Sequence, residues 1–199
     1  MKATFNVIID ELHRIGYDTR FTVLNSKDYG IPQTRERLWI FAYLGTLPEN
    51  FNIVPPKKKL KGYLADFLDK NPETELYKSQ KQIARIHEIH HNDVFDVKEP
   101  LCYDIYNRKI RTDRLCMTVT PPEHNVIRII EPMQNGEERF RKLSLDEHFR
   151  LMGFQLDEKK REILFPPTLN YTKLGRRAGN GWDVNLVGIL LNHIFWQLL

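Results

Sequence analysis

Apolar and polar positions along the 199-residue chain sort into helical spacing at both ends and short alternating runs between them. Over 4–15, Phe5, Val7, Ile8, Leu12 and Ile15 recur at helical spacing and Gly16 supplies the stop. Over 17–24, Tyr17, Phe21 and Val23 share one face of a predicted strand. A polar loop over 25–37 follows, turned by Gly30 and Pro32 and closing on Gln33-Thr34-Arg35-Glu36-Arg37. It feeds directly into Leu38-Trp39-Ile40-Phe41-Ala42-Tyr43-Leu44, an aromatic and β-branched run that predicts a strand buried in the core. Two guanidiniums fixed at the mouth of such a strand suit phosphate or a carbonyl-bearing ring. The competing reading makes Arg35, Glu36 and Arg37 the solvated charges of an edge strand.

The pattern changes after residue 45. Pro55-Pro56-Lys57-Lys58-Lys59 reads as an exposed basic linker. Short helices are expected over 63–68 and 77–89, the second carrying Ile83, Ile86 and Ile89, and strands over 103–106, 115–120 and 126–130. Arg108, Lys109, Arg111 and Arg114 crowd one segment beside Tyr103 and Tyr106. Cations interleaved with aromatics suit a nucleic-acid face, because phosphates attract charge and bases stack on rings. A hairpin edge protected by lysine and arginine has the same composition.

Regular structure returns at Ser144-Leu145-Asp146-Glu147, a capping-box pattern opening a helix to Met152 that Gly153 closes. Pro166-Pro167 breaks the chain, and Gly175, Gly179, Asn180 and Gly181 predict a glycine-rich turn before a last apolar helix from Val184 to Phe195. Such a turn either presents backbone N–H groups to a ligand or is simply tight. Helix, strand, loop, strand is α/β material, yet the chain does not open with a strand and a ligand-binding turn.

Composition narrows the class. Hydrophobic residues at 41% and charged residues at 28% describe a globular chain, and no apolar run or leader pattern indicates a membrane segment. A cytoplasmic setting is expected, nucleoid-associated in a bacterium or phage. The net charge of +4 permits nucleic-acid binding but requires any basic surface to be local. Cys102 and Cys116 follow leucines, fit a reducing compartment and read as small hydrophobes. His87 and His91 share a helical face but lack a third ligand of matching spacing, so no metal is expected.

Three segments in order resemble the cytosine-C5 DNA methyltransferase family. Residues 24–37, with Gln33-x-Arg35-x-Arg37, resemble its eighth motif; 141–154 resemble the ninth; Gly179-Asn180-Gly181 with Val184-Asn185-Leu186 resemble the tenth. Thr118-Val119 is similar to a Thr-Leu pair in the family's variable target-recognition region. The resemblance implies an α/β fold: the C-terminal part of a Rossmann-like methyltransferase sheet plus a small mixed α+β recognition domain. It divides the chain into 1–46 (partial catalytic domain), 47–140 (target recognition) and 141–199 (return to the catalytic domain). By the same resemblance, Arg37 contacts the flipped base, while Arg35 and Gln33 support it. Asn180, Gly181 and Trp182 line part of an S-adenosylmethionine pocket, and Arg108, Lys109, Arg111, Arg114 and Thr118 face double-stranded DNA.

Departures from the family pattern are equally specific. Its nucleophile is the cysteine of a Pro-Cys pair, its acid the glutamate of Glu-Asn-Val, and its donor turn reads Phe-x-Gly-x-Gly. None of these occurs here, and Glu49-Asn50-Phe51 lies downstream of the eighth motif. Pro121-Pro122-Glu123-His124 stands where a glycine-rich recognition loop is common, and Trp182 and Asp183 stand at usually small or aliphatic positions. The expectation is therefore a recognition half or subunit, inactive alone, that pairs with a complementary N-terminal half or else self-associates. The rival readings are a non-catalytic DNA-binding module or inactive homologue, and an interaction protein whose basic loops face solvent.

Overall fold

The computed structural model describes residues 2–89, 97–121 and 127–199. The expectations at His90, His91, Val126 and the 122–124 stretch lie outside those residues. Helix α1 (Lys2–Arg14) leads through Gly16, at φ +93°, into β1 (Tyr17–Asn25), which pairs antiparallel with β2 (Glu36–Leu44) in unbroken register from Tyr17 opposite Leu44 to Asn25 opposite Glu36. Alternation sends the two sets of side chains to opposite faces. One face meets α1, where Phe5 stands edge-on to Phe21 at 4.8 Å. The other, with Leu24, Trp39 and Phe41, packs on Leu186, Leu190 and Ile194 of the C-terminal helix α6 (Val184–Leu198).

The run over 38–44 is a strand, but it is not buried. Leu38 and Ile40 are 49% and 37% exposed and Leu44 more so. The reason is topological: among the described residues β1 and β2 form a sheet of two, so β2 has a neighbour on one side only.

A second sheet has order β4-β3-β5-β6, all antiparallel, from β3 (Leu101–Asp104), β4 (Lys109–Arg111), β5 (Ile127–Gln134) and β6 (Glu137–Arg141). Helix α2 (Gln80–Ile89) covers one face through Ile83 and Ile86 against Tyr103, Ile130 and Phe140. The other face buries Cys102, Ile127 and Ile129 with Leu64, Cys116, Val119, Leu143 and Leu151. The two cysteines are buried there with free thiols, their sulfurs 3.9 Å apart, which bears out the reading of them as small hydrophobes. Residues 64–67 form a 3-10 turn rather than an α-helix.

Helix α3 (Leu145–Leu151) begins as its sequence requires: Ser144 Oγ accepts from the Glu147 amide and Glu147 accepts from the Ser144 amide. Glu147 also binds Arg141 through two hydrogen bonds, at 2.7 and 2.8 Å, with both side chains fully enclosed. Helix α4 (Glu158–Leu164) precedes α5 (Tyr171–Asn180). Here the glycine-rich turn is corrected, because Gly175 and Gly179 lie inside α5, capped by Asn170, and only Gly181 ends it. The strand expected over 115–120 is also absent. That stretch runs extended and spends its backbone on the 32–34 loop instead: Cys116 donates to the Pro32 carbonyl (2.7 Å) and accepts from the Thr34 amide (2.9 Å).

Candidate nucleic-acid interface

The Gln33–Arg37 loop is held in shape from within. Asn25 Oδ1 accepts from the Arg35 amide at 3.1 Å, and the Ser26 amide donates to the Arg35 carbonyl at 3.1 Å, closing the loop between the ends of β1 and β2. Gln33 is fully buried. Its Nε2 donates to the Leu151 carbonyl at the end of α3 (2.6 Å), while its Oε1 accepts from the Val119 amide (2.8 Å). One side-chain amide thereby ties the loop to the Val119 stretch and to α3. A buried amide needs both kinds of partner, and here it has them.

Arg35 is only 2% exposed and points inward. Nη1 donates to the Val119 carbonyl (2.7 Å), and Nη2 to the carbonyls of Gly179 (3.0 Å) and Gly181 (2.7 Å). Burial, reinforced by the neighbouring Arg37 charge, pulls its pKa down to about 10. The planar fork suits three converging carbonyls, which a lysine could not reach together. Gly179 must be glycine for the same junction to close, since a Cβ there would stand 2.2 Å from the Pro121 nitrogen and 2.3 Å from the Thr120 carbonyl carbon.

Arg37 differs. It is exposed, and its guanidinium donates to the carbonyl of its neighbour Glu36, at 2.7 Å. Of the two arginines in the motif, one locks three segments together and the other is presented to solvent beside them.

The structure brings Thr118 and Arg111 to this loop. Thr118 Oγ1 donates to the Thr34 carbonyl (2.7 Å), and Arg111 Nη1 donates to Thr34 Oγ1 (2.7 Å) while its other nitrogens bind Asp113. Arg114 instead stacks over the Tyr63 ring, 4.0 Å from its centroid, and pairs with Glu99 at 2.9 Å. Arg108 and Lys109 are exposed at the β3–β4 turn, which Asp104 shapes by accepting from the amides of Tyr106 (2.9 Å) and Asn107 (2.8 Å). Tyr106, 79% exposed, sits at the same tip. Sequence reasoning missed the roles of Asn25, which meets the Arg35 amide across the loop, and of Thr34, whose partners Arg111 and Thr118 lie far along the chain.

At the end of α5 Asn180 is exposed, as is Trp182 just beyond it, and the Trp182 ring meets Trp39 of β2 edge-on at 5.6 Å. Trp39 Nε1 is buried without an acceptor among the described residues. Gly181 and Trp182 border an apolar cavity of about 380 Å³ lined by Phe149, Met152, Phe154 and Val187. Asp183 is buried and caps α6 by accepting from the amides of Asn185 (2.9 Å) and Leu186 (3.1 Å). Burial raises its pKa against the pull of the Leu186 amide.

The model of the C-5 cytosine-specific DNA methylase family matches residues 1–196. The chain belongs to that family. Among curated relatives, the type II methyltransferase M.Bsp6I of Bacillus sp. (strain RFL6) is 26% identical over 206 residues, covering 98% of this chain and 61% of that protein. M.NlaIV of Neisseria lactamica is 34% identical over 86 residues, covering 37% of this chain and 20% of that one. Among solved structures, the Dnmt2 methyltransferase of S. pombe superposes with a TM-score of 0.65 at 19% identity, covering 98% of this chain and 62% of that chain. The Entamoeba histolytica methyltransferase EhMeth gives 0.63 at 17%, covering 98% and 58%. The fold is thus that of part of a methyltransferase, and this chain spans between a fifth and about three fifths of the length of these relatives. Among the described residues no helix is long and apolar enough to cross a membrane.

Proposed function

We propose that this chain is the target-recognition half of a cytosine-C5 DNA methyltransferase, with 1–46 and 141–199 completing a catalytic domain around a recognition domain at 47–140. The supporting observation is the junction at Gln33 and Arg35. It draws the loop, the Val119 stretch, α3 and the end of α5 into one unit and leaves Arg37 exposed at its edge. In this reading Arg37 donates to the O2 carbonyl of a cytosine flipped out of duplex DNA and steadies charge developing on the ring. Arg35 and Gln33 position it without touching the base. Thr118 and Arg111 hold the loop against the recognition segment, and Arg108 and Lys109, with Tyr106, meet the duplex backbone.

S-adenosylmethionine supplies an electrophilic methyl group when bound. The residues here fit one wall of its site: the Asn180 amide, the Gly181 backbone and the exposed Trp182 face lie together, beside a Trp39 indole N–H that has no acceptor among the described residues. The cysteine that adds to C6 and the glutamate that assists at N3 must come from another segment, since Cys102 and Cys116 are enclosed, do not follow proline, and the Cys116 thiol is raised by its contact with Cys102 and by burial.

The chain mixed with a polypeptide bearing Pro-Cys and Glu-Asn-Val segments should transfer labelled methyl groups to duplex DNA, and the chain alone should not. Methylation by the chain alone would overturn the reading. DNA retention at moderate salt with no complementing polypeptide would favour a binding module instead.

A further inference from the structure

The DNA contacts assigned above come from the cations that crowd 108–114. We propose a second and separate contact: Lys78, Arg128 and Lys142 form a cluster that grips the phosphate backbone of the duplex beyond the β3–β4 turn. This inference rests on the proposed function and extends its DNA surface across the second sheet.

The segment before α2 runs alongside β6. The Lys78 amide donates to the Phe140 carbonyl (2.8 Å), the Lys142 amide donates to the Leu76 carbonyl (3.0 Å), and Tyr77 is bridged to Arg141. Alternation then divides the cations between two faces. On the face of Tyr77 and Arg141, Arg141 is bound by Glu131 and Glu147, and Arg139 by Glu131, so both cations there have carboxylates. The other face is that of Phe140, which meets Ile83 and Ile86 of α2. Lys78, half-buried, and Lys142, exposed, share it, and among the described residues neither has a carboxylate within ion-pair distance. Arg128 belongs to the same face, because it is the cross-strand partner of Tyr103 and precedes Ile129, which pairs with Arg141. Its Nη1 donates to the Ile127 carbonyl at 2.6 Å.

The electrostatics place the three heads together. Burial, and then the charges of Arg128 and Lys142, lower the Lys78 pKa. Arg108 continues the series: burial raises the pKa of Tyr103, the partner of Arg128, and the Arg108 charge works against it. Like charges gathered on one face, with the carboxylates kept on the other, repel one another until an anion lies between them. The sheet order β3-β5-β6, with Lys78 beside β6, sets the length of this ridge. Three strand spacings make about 14 Å, the rise of roughly four base pairs. A row of that length follows successive phosphates of one strand, whereas a single free phosphate would be held by a closed cradle.

The test measures binding of the full chain to labelled duplexes by fluorescence anisotropy, at several ionic strengths below the physiological one. Lys78→Gln combined with Lys142→Gln should lower the slope of log affinity against log salt by about 1.8, since each phosphate contact contributes about 0.9. The loss should be the same for duplexes of unrelated sequence, because backbone contacts carry no sequence information. Lys159→Gln, on the exposed surface of α4, should leave the slope unchanged. On the unaltered chain, duplex DNA should protect Lys78 and Lys142 from amine acylation, read by mass spectrometry, and leave Lys159 open. This second measurement decides the matter if circular dichroism shows the double variant misfolded. An unchanged slope in a folded variant, acylation that DNA does not reduce, a loss confined to one duplex sequence, or equal protection by inorganic phosphate overturns the proposal. Lysine effects as expected, but no methyl transfer when the complementing polypeptide is added, would support this surface and sink the proposed function. Restored methyl transfer with indifferent lysines would do the reverse.

Discussion

Arg35 and Arg37 are two residues apart in one motif, and replacing each with alanine should have very unequal consequences for stability. Arg35 donates three hydrogen bonds at 2.7–3.0 Å from a buried cation. At about 1.5–3 kcal/mol for each bond from a charged donor, the ceiling is roughly 4.5–9 kcal/mol. Against this stands the cost of holding the charge there: a pKa drawn from 12.5 down to about 10 corresponds to about 3 kcal/mol. The difference centres near 4 kcal/mol, and alanine also leaves three carbonyls facing a vacated space. Arg35→Ala should therefore remove about 3–5 kcal/mol, a large share of the roughly 5–15 kcal/mol that holds a domain folded. Arg37→Ala, losing one exposed bond to an adjacent carbonyl, should change stability by no more than about 0.5 kcal/mol. Urea unfolding followed by circular dichroism measures both, with the slope checked for constancy. Equal losses from the two variants, or a loss below about 1 kcal/mol for Arg35→Ala, would refute the division of labour.

Two further outcomes follow from the same structure. Gly179→Ala should destabilise by about 1–3 kcal/mol by forcing α5 from the Thr120–Pro121 backbone, whereas Gly188→Ala in α6, with open space around its Cβ position, should gain about 0.5–1 kcal/mol; thermal melts compare them. His148 is buried, and burial lowers its pKa beneath 6.5, so the folded chain binds that proton less tightly than the unfolded one. The stability it contributes is present above pH 6.5 and is lost as pH falls through the lower folded value. His148→Gln should flatten that part of the stability–pH curve, and an unchanged slope would count against it.

Several elements were legible from local chemistry alone. Ser144 and Glu147 announced α3, and the Gln33-x-Arg35-x-Arg37 run announced the loop, because each signal lies within a few residues. The β5–β6 hairpin could have been found too: Asn135-Gly136, at φ +51° and +77°, is the dipeptide that a tight two-residue turn needs. Helix α5 was concealed by its glycines, of which Gly179 packs against a backbone 58 positions earlier rather than turning the chain. Exposure of β2 could not be read from its composition, which describes the neighbours a strand is suited to and not those it has. The basic cluster was visible as a cluster, but that Arg114 is occupied by Glu99 and Tyr63 while Arg108 and Lys109 are exposed depends on contacts no spacing reveals.

The acceptors of Arg35 lie 84, 144 and 146 residues further along the chain. On a ribosome adding about 5–20 residues per second, this guanidinium emerges roughly 7–30 seconds before the last two carbonyls exist. Nascent chains pass through that interval with two of the three acceptors of the locking residue missing. The junction is thus a late checkpoint of synthesis: any chain truncated before Gly179 carries the complete loop motif yet cannot fasten it, and should be recognisable to proteases by that defect.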